Sequence, residues 1–307
     1  MKKIVVVGSS NVDTTLHVVD FPKPGETINA LDITEAGGGK GANQAIAAAK
    51  AGSETYFINR VGEDSSGRFI LKQLKCYGVD TTYVQTTSGT NTGHAYINLN
   101  EAGQNNIIID HGANYELSVE DIDAAEELIK DSDAIITQFE TPIEVAIEAF
   151  KIAKKNNVIT ILNPAPAIKE LPKELLKLTD LIAPNETESS LITGIEVKDL
   201  ESIKANSDKL HELGVKNVVI TYGDKGSYIS TANVEKLIPA FKVEAADTTG
   251  AGDTFIGFLT SQLQADFSNI EQAATFAARA SSIAVSRLGA QPSIPTYNEV
   301  NELMGRE

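Results

Sequence analysis

The segment Asp247-Thr248-Thr249-Gly250-Ala251-Gly252-Asp253-Thr254-Phe255 holds the residues best suited to chemistry in this chain. Gly250 and Gly252 allow a sharp turn that brings backbone amides close to a ligand. Phe255, Phe258, Leu259 and Leu263 follow at helical spacing, so a helix starts near Gly252. Free N–H groups at such a start, aligned with the helix dipole, form a site for phosphate or for an anion that develops during reaction. Asp253 falls at the same end, where the dipole favours its ionised form. A carboxylate there can take the proton of a hydroxyl as that hydroxyl attacks a phosphoryl group. Alone, the segment could equally be an ordinary N-cap aspartate after a glycine turn. Polar residues elsewhere in the chain tip the balance.

A second glycine cluster, Ala36-Gly37-Gly38-Gly39-Lys40-Gly41-Ala42-Asn43-Gln44, precedes an Ala-rich run. It is not a Walker A loop, because Gly41 follows Lys40 where Ser or Thr is needed. Gly37, Gly39 and Ala42 satisfy a G-x-G-x-x-A dinucleotide pattern, but they follow an irregular segment and not the first strand of a βαβ unit. Lys40 and Asn43 instead offer donors and an acceptor to a hydroxyl-rich small molecule. Asn11 and Asp13 follow the first strand and Glu140 follows a later one, so both groups reach the carboxyl rim where open α/β sheets bind ligands. Asn185-Glu186-Thr187-Glu188 and Thr221-Tyr222-Gly223-Asp224-Lys225-Gly226 also follow strands. Their oxygens suit water-coordinated Mg²⁺, and the glycines admit a flat nucleotide, although Asn185 also reads as a helix cap.

These groups need a frame, and the chain supplies alternating strand and helix patterns. Strands are expected at Ile4–Val7, Ala134–Phe139, Val158–Leu162, Leu181–Ala183 and Val218–Tyr222. Helices are expected over Gly41–Lys50, from a capping box at Ser118 and Asp121 through Lys130, from Thr141-Pro142 onward, and over Asp199–Leu213. Such alternation implies an α/β fold with a mainly parallel sheet covered by helices on both faces. Thr14–Ala36 and Thr92–His111 break the rhythm, the second reading as two strands around Asn100-Glu101-Ala102-Gly103. They are expected to form a small antiparallel lid inserted in one catalytic domain spanning residues 1–307, and an unpaired apolar face on it suggests a homodimer surface.

Composition narrows the function classes. With 26 basic and 42 acidic residues, a formal charge of −16 opposes nucleic-acid binding, and an anionic ligand must be drawn in by local donors or a metal. Cys76 is the only cysteine, and the apolar run Ile4–Val7 is too short for a signal peptide or a membrane span, so a cytoplasmic protein is expected. His17, His94, His111 and His211 have no metal-ligand spacing, and neither HExxH, CxxC nor G-x-S-x-G occurs.

The chain resembles the ribokinase branch of the PfkB-type carbohydrate kinase family from Ile4 to Pro295. GGGKGANQA at Gly37–Ala45 and DTTGAGDTF at Asp247–Phe255 are similar to the two family signatures. NPAPA at Asn163–Ala167, PNETE at Pro184–Glu188 and GAQPS at Gly289–Ser293 resemble the ribokinase branch in particular. The resemblance implies ATP-dependent phosphorylation of the ribose 5-hydroxyl. It implies sugar contacts from Asn11, Val12, Asp13, Gly39, Lys40, Gly41, Ala42, Asn43 and Glu140, with Asp253 as base and the Gly250, Ala251 and Gly252 amides as anion hole. Asn185, Thr221, Tyr222, Gly223, Asp224, Lys225 and Gly226, with Gly252 and Asp253, would line the ATP site, and Glu188 would order Mg²⁺ waters. A monovalent cation, normally K⁺, would lie by Asp247, Thr249, Ala284, Arg287, Gly289 and Ser293. Three positions depart from the family pattern: Gly37, Ile256, and Ala278 with Arg279 where an adenine-contacting Asn or His is common. The competing readings are a family kinase for deoxyribose, fructose or a nucleoside, and more remotely a dinucleotide-binding oxidoreductase or a non-catalytic sugar-binding protein.

Overall fold

The computed structural model describes residues 1–305. Short β-branched runs form the strands, and their alternate residues face opposite ways. Ile4 and Val6 join one apolar core and Val5 and Val7 another, all four fully buried. A strand buried on both faces needs helices on both sides, which is the arrangement found. One core packs against the helices Lys40–Lys50, Ala251–Gln262 and Ile270–Val285, the other against Ile143–Lys155 and Leu200–Glu212.

The main sheet has ten strands among the described residues. Its order is Glu235–Ile238, Ser227–Ser230, Asn217–Thr221, Leu181–Ile182, Ile159–Leu162, Ala134–Thr137, Lys3–Val7, Glu54–Gly62 and Val79–Asp80, with Val84–Thr87 also paired to Glu54–Gly62. Pairing is parallel from Asn217–Thr221 across to Val79–Asp80, and antiparallel only where Ser227–Ser230 and Glu235–Ile238 close one edge. The α/β class with a mainly parallel sheet is therefore the observed one. Boundaries differ in detail. The helix expected from Ser118 to Lys130 has its capping box but breaks at Ala125, whose amide bonds Ile122 O in a tighter turn and splits it into Val119–Ala124 and Glu126–Lys130.

A separate four-stranded sheet comes from the two irregular segments, in the order Asp32–Gly38, Asn11–Val18, Gly93–Asn100, Asn105–Asp110. It is not wholly antiparallel. Two antiparallel hairpins meet through a parallel central pair, Asn11–Val18 with Gly93–Asn100. Its first strand also begins earlier than Thr14, so Asn11, Val12 and Asp13 belong to this sheet.

Candidate active site

The turn at Gly250 is the anchor of the site. Gly250 is the N-cap of the Ala251–Gln262 helix in the left-handed conformation, with φ 74°, which glycine adopts without steric cost. The Ala251 amide donates to Thr248 O at 3.3 Å, whereas the amides of Gly250, Gly252 and Asp253 have no acceptor among the described residues. The expected trio of free amides thus loses Ala251 and gains Asp253. Asp253, on the first turn, is 8% exposed. Its Oδ2 accepts from Asn43 Nδ2 at 3.0 Å and its Oδ1 from Gln44 Nε2 at 2.9 Å. Burial raises the Asp253 carboxyl above its ordinary range, and neighbouring Glu140 adds to the effect, against the pull of Lys40 and the two amides.

The glycine cluster and the small sheet bring the remaining acidic groups to the same place. Gly38 lies so close to the Asp13 carboxylate that a Cβ there would overlap it. Burial, then Glu140, then Asp253 push the Asp13 carboxyl up to about 7. Glu140 is buried, accepting at Oε2 from Ser9 Oγ and from the Lys40 amide. Burial disfavours the Lys40 ammonium, but Asp253, Glu140 and Glu188 together outweigh it and hold its pKa above the ordinary value. Asp13, Lys40, Asn43, Glu140 and Asp253 therefore do converge. Asn11 is buried beside them, its Oδ1 accepting from Asn114 Nδ2 at 2.9 Å. Asn114 also bonds Ser10 and Asn59, which ties both ends of the small sheet to the main one. The expected list lacks Asn114, Asn59, Gln44 and Gln138. A polar residue inside a strong helix or loop pattern carries no local mark of burial.

A cavity of about 690 Å³ opens on the other side of the Gly250 turn. Asn185, Thr221, Gly223, Asp224, Gly226 and Gly252 line it, together with the apolar Phe241, Val243, Phe255 and Ala278. Asp253, Tyr222 and Lys225 do not, the Asp253 carboxylate being turned to Asn43 and Gln44 instead. The Tyr222 ring is buried in the core with its hydroxyl on Lys198 O, and Lys225 folds back onto that hydroxyl, because alternate residues of a strand end face opposite ways. Asn185 caps its helix, accepting from the Glu188 amide at 2.7 Å, while Glu188 Oε2 accepts from the Asn185 amide at 2.9 Å. Burial raises the Glu188 carboxyl, partly offset by that amide and by Lys40. Ile256 is buried in the core. At Gly37, Gln291 fills the space a larger side chain would need. Arg279 stacks on Phe241, its guanidinium carbon 3.6 Å from the ring centre.

Asp247 joins two loops beside the turn. Its Oδ1 accepts from the Thr249 amide at 2.9 Å and from Thr249 Oγ1 at 2.7 Å, and its Oδ2 from the Gly289 amide at 2.9 Å. Burial opposes its ionisation, but these bonds hold its carboxyl below the ordinary range. Arg287 and Ser293 meet through Arg287 Nη1 and Ser293 O at 3.5 Å, and the Ala284 carbonyl accepts the Arg287 amide at 3.0 Å.

Carboxylates and side-chain amides cluster on one side of a glycine turn and a cavity of nucleotide size lies on the other, an arrangement suited to phosphoryl transfer. Residues 1–297 match the model for pfkB family carbohydrate kinases. The chain belongs to that family and is an ATP-dependent kinase. It is 46% identical to a ribokinase of Staphylococcus aureus over 98% of this chain and 99% of that one. It is 49% identical over its full length to a bifunctional ribokinase/ribose-5-phosphate isomerase A of Fructilactobacillus sanfranciscensis, of which it spans 57%. A deoxyribokinase of Salmonella typhi is 38% identical over 98% of both chains. Among solved structures, Arabidopsis thaliana ribokinase complexed with ribose and ATP superposes with TM-score 0.91 at 36% identity, covering 99% of this chain and 98% of that one.

Proposed function

We propose that the chain transfers the γ-phosphoryl group of ATP to the 5-hydroxyl of D-ribose, giving D-ribose 5-phosphate and ADP. The observation that carries this reading is the buried Asp253 carboxylate, held by two amides, beside main-chain N–H groups without acceptors at a helix start. The acceptor half suits a polyol. Asp13 and Glu140 accept from vicinal hydroxyls, Asn11, Lys40 and Asn43 donate, and the backbone of Val12, Gly39, Gly41 and Ala42 shapes the wall. Asn43 Oδ1, buried without a partner among the described residues, is an acceptor available to a hydroxyl.

Asp253 takes the hydroxyl proton as the oxygen bonds to the γ-phosphorus. The bond from that phosphorus to the β–γ bridging oxygen breaks, and its electron pair leaves with ADP. The Gly250, Gly252 and Asp253 amides stabilise the charge on the transferring group. Asn185, Thr221, Gly223, Asp224 and Gly226 hold the nucleotide. The Glu188 and Glu186 carboxylates fit Mg²⁺ held through water, since that ion takes one or two carboxylates plus substrate phosphates. Mg²⁺ would neutralise phosphate charge. The Asp247 carboxylate, which bonds the Thr249 and Gly289 amides, with main-chain oxygens of Thr249, Ala284, Arg287, Gly289 and Ser293, would offer a monovalent cation oxygen ligands of low total charge, which suits K⁺ better than a divalent ion. K⁺ there would stiffen the turn without touching ATP.

The whole chain acts as one catalytic domain, with the small sheet as a lid that excludes water from phosphoryl transfer. Exposed Ile33, Tyr96, Ile107 and Ile108 on that sheet support a homodimer through the lid, tested by the mass in light scattering. No helix among the described residues is long and apolar enough to cross a membrane. The single cysteine, Cys76, fits a reducing compartment, and on that ground we place the enzyme in the cytoplasm. The deciding experiment is coupled ADP release with ribose, 2-deoxyribose, fructose and nucleosides, each with and without K⁺. Ribose should give the highest kcat/KM and K⁺ should raise it. Preference for 2-deoxyribose would overturn the substrate assignment.

A further inference from the structure

Gln44 sits one residue beyond Asn43 on the Lys40–Lys50 helix and is fully buried. Its Nε2 donates to Asp253 Oδ1 at 2.9 Å and to Asn163 Oδ1 at 3.0 Å. Its Oε1 accepts from Gln138 Nε2 at 2.7 Å. The orientation of these amides is fixed from one end. Asn163 Nδ2 donates to the main-chain oxygen of Ala183 at 3.0 Å, which turns Asn163 Oδ1 toward Gln44. Gln44 must then present its NH₂ to Asn163 and its oxygen to Gln138. Reversing it would set oxygen against the oxygens of Asp253 and Asn163. Asn43 differs. It donates to Asp253 Oδ2, but its own Oδ1 has no partner among the described residues, so that amide has no second side-chain anchor.

We propose that Gln44 is the positioning residue of the base: it keeps hold of Asp253 Oδ1 throughout turnover and so designates Oδ2 as the oxygen that takes the hydroxyl proton. The inference rests on the reading of Asp253 as the base. Asn43 exchanges its bond to Oδ2 for one to the acceptor, and the hydroxyl donates to Oδ2 in its place. The proton moves to Oδ2 as the hydroxyl oxygen bonds to phosphorus, while Oδ1 still accepts from Gln44. A fixed donor on Oδ1 favours the ionised carboxylate. It works with the Lys40 ammonium, against burial and against the charges of Glu140, Asp13 and Glu188 that face the same space.

The test is the pH profile of kcat, with ribose KM, for the full chain carrying Gln44→Met, a side chain of similar length without a donor, assayed with ATP, Mg²⁺ and K⁺. At neutral pH kcat should fall about 100-fold, and the acid limb should move up by about one pH unit. Ribose KM should stay within about threefold, because uniform binding is untouched. Gln138→Met frees Gln44 without removing its bond to Asp253 and should shift both quantities the same way, with about a tenfold fall in kcat. A folded Gln44→Met enzyme with wild-type kcat, or with lower kcat and an unmoved acid limb, would overturn the proposal. If Gln44→Met fails to fold, Gln138→Met decides by the same criteria. Asp253→Asn separates the two ideas. Near-normal kcat in that variant removes the base itself, whereas a dead Asp253→Asn beside an unaffected Gln44→Met removes only the positioning.

Discussion

The two halves of the cleft are built from different materials. On the acceptor side, ionisable and amide side chains crowd together: the carboxylates of Glu140 and Asp253 raise the pKa of both Asp13 and Lys40, and Asn11, Asn43 and Gln44 are buried among them. On the nucleotide side, small and apolar residues predominate. Ser281 and Ser282 also line the cavity, but their hydroxyls donate at 2.7 Å to the main-chain oxygens of Ala251 and Arg279. The difference bears on selectivity. A wall of buried polar groups rejects a ligand that leaves one of them unpaired, because desolvation then goes uncompensated. A wall of apolar side chains distinguishes shape only weakly. The acceptor half should be strict and the nucleotide half tolerant.

The largest effect expected is on the strict side. Asp253→Asn keeps the contour of the site but cannot accept a proton, and kcat should fall roughly 10³- to 10⁴-fold with ribose binding retained, measured by steady-state kinetics and calorimetry. Next comes Asp13→Asn, which loses the full acceptor capacity of a carboxylate and should raise ribose KM about 100-fold. On the tolerant side the comparison can be broken directly: GTP should support at least about a tenth of the kcat/KM seen with ATP. A much larger preference for ATP would mean that the apolar lining reads the base after all. The smallest effect is thermal, and its sign follows from Asp13. In the folded chain this carboxyl keeps its proton up to about 7, whereas unfolded it loses it near 4. The folded state therefore binds more protons between those values, and stability contributed here is present at low pH and lost as pH rises through the folded value. Asp13→Asn should then raise the melting temperature at pH 8 by roughly 2 to 4 °C, and by less at pH 5, in scanning calorimetry. The weaker binder should be the sturdier protein.

What the sequence made legible was chemistry carried by local spacing. The Gly250 turn, Asp253 and the Lys40–Asn43 cluster lie in short strings whose residue types restrict the backbone and name the reaction. The strand runs Ile4–Val7 and Val218–Ile220 were equally plain, since nothing but burial on both faces explains them. Gln44, Gln138, Asn59 and Asn114 were not legible, because their roles arise from partners about 50 to 200 residues away. Nor were the edge strands Ser227–Ser230 and Glu235–Ile238, or the parallel join in the small sheet. Pairing direction depends on where two hairpins leave the body, and no single hairpin records that.

The Asn11–Val18 strand runs without interruption from Asn11 and Asp13 into the roof, paired on both sides. Fingers and roof are one piece of backbone. Any swing of the roof must carry the fingers with it, so capture and shielding cannot be tuned separately. If the small sheet closes as proposed, a version of this enzyme that clasped its sugar more firmly would also free the phosphate ester more slowly.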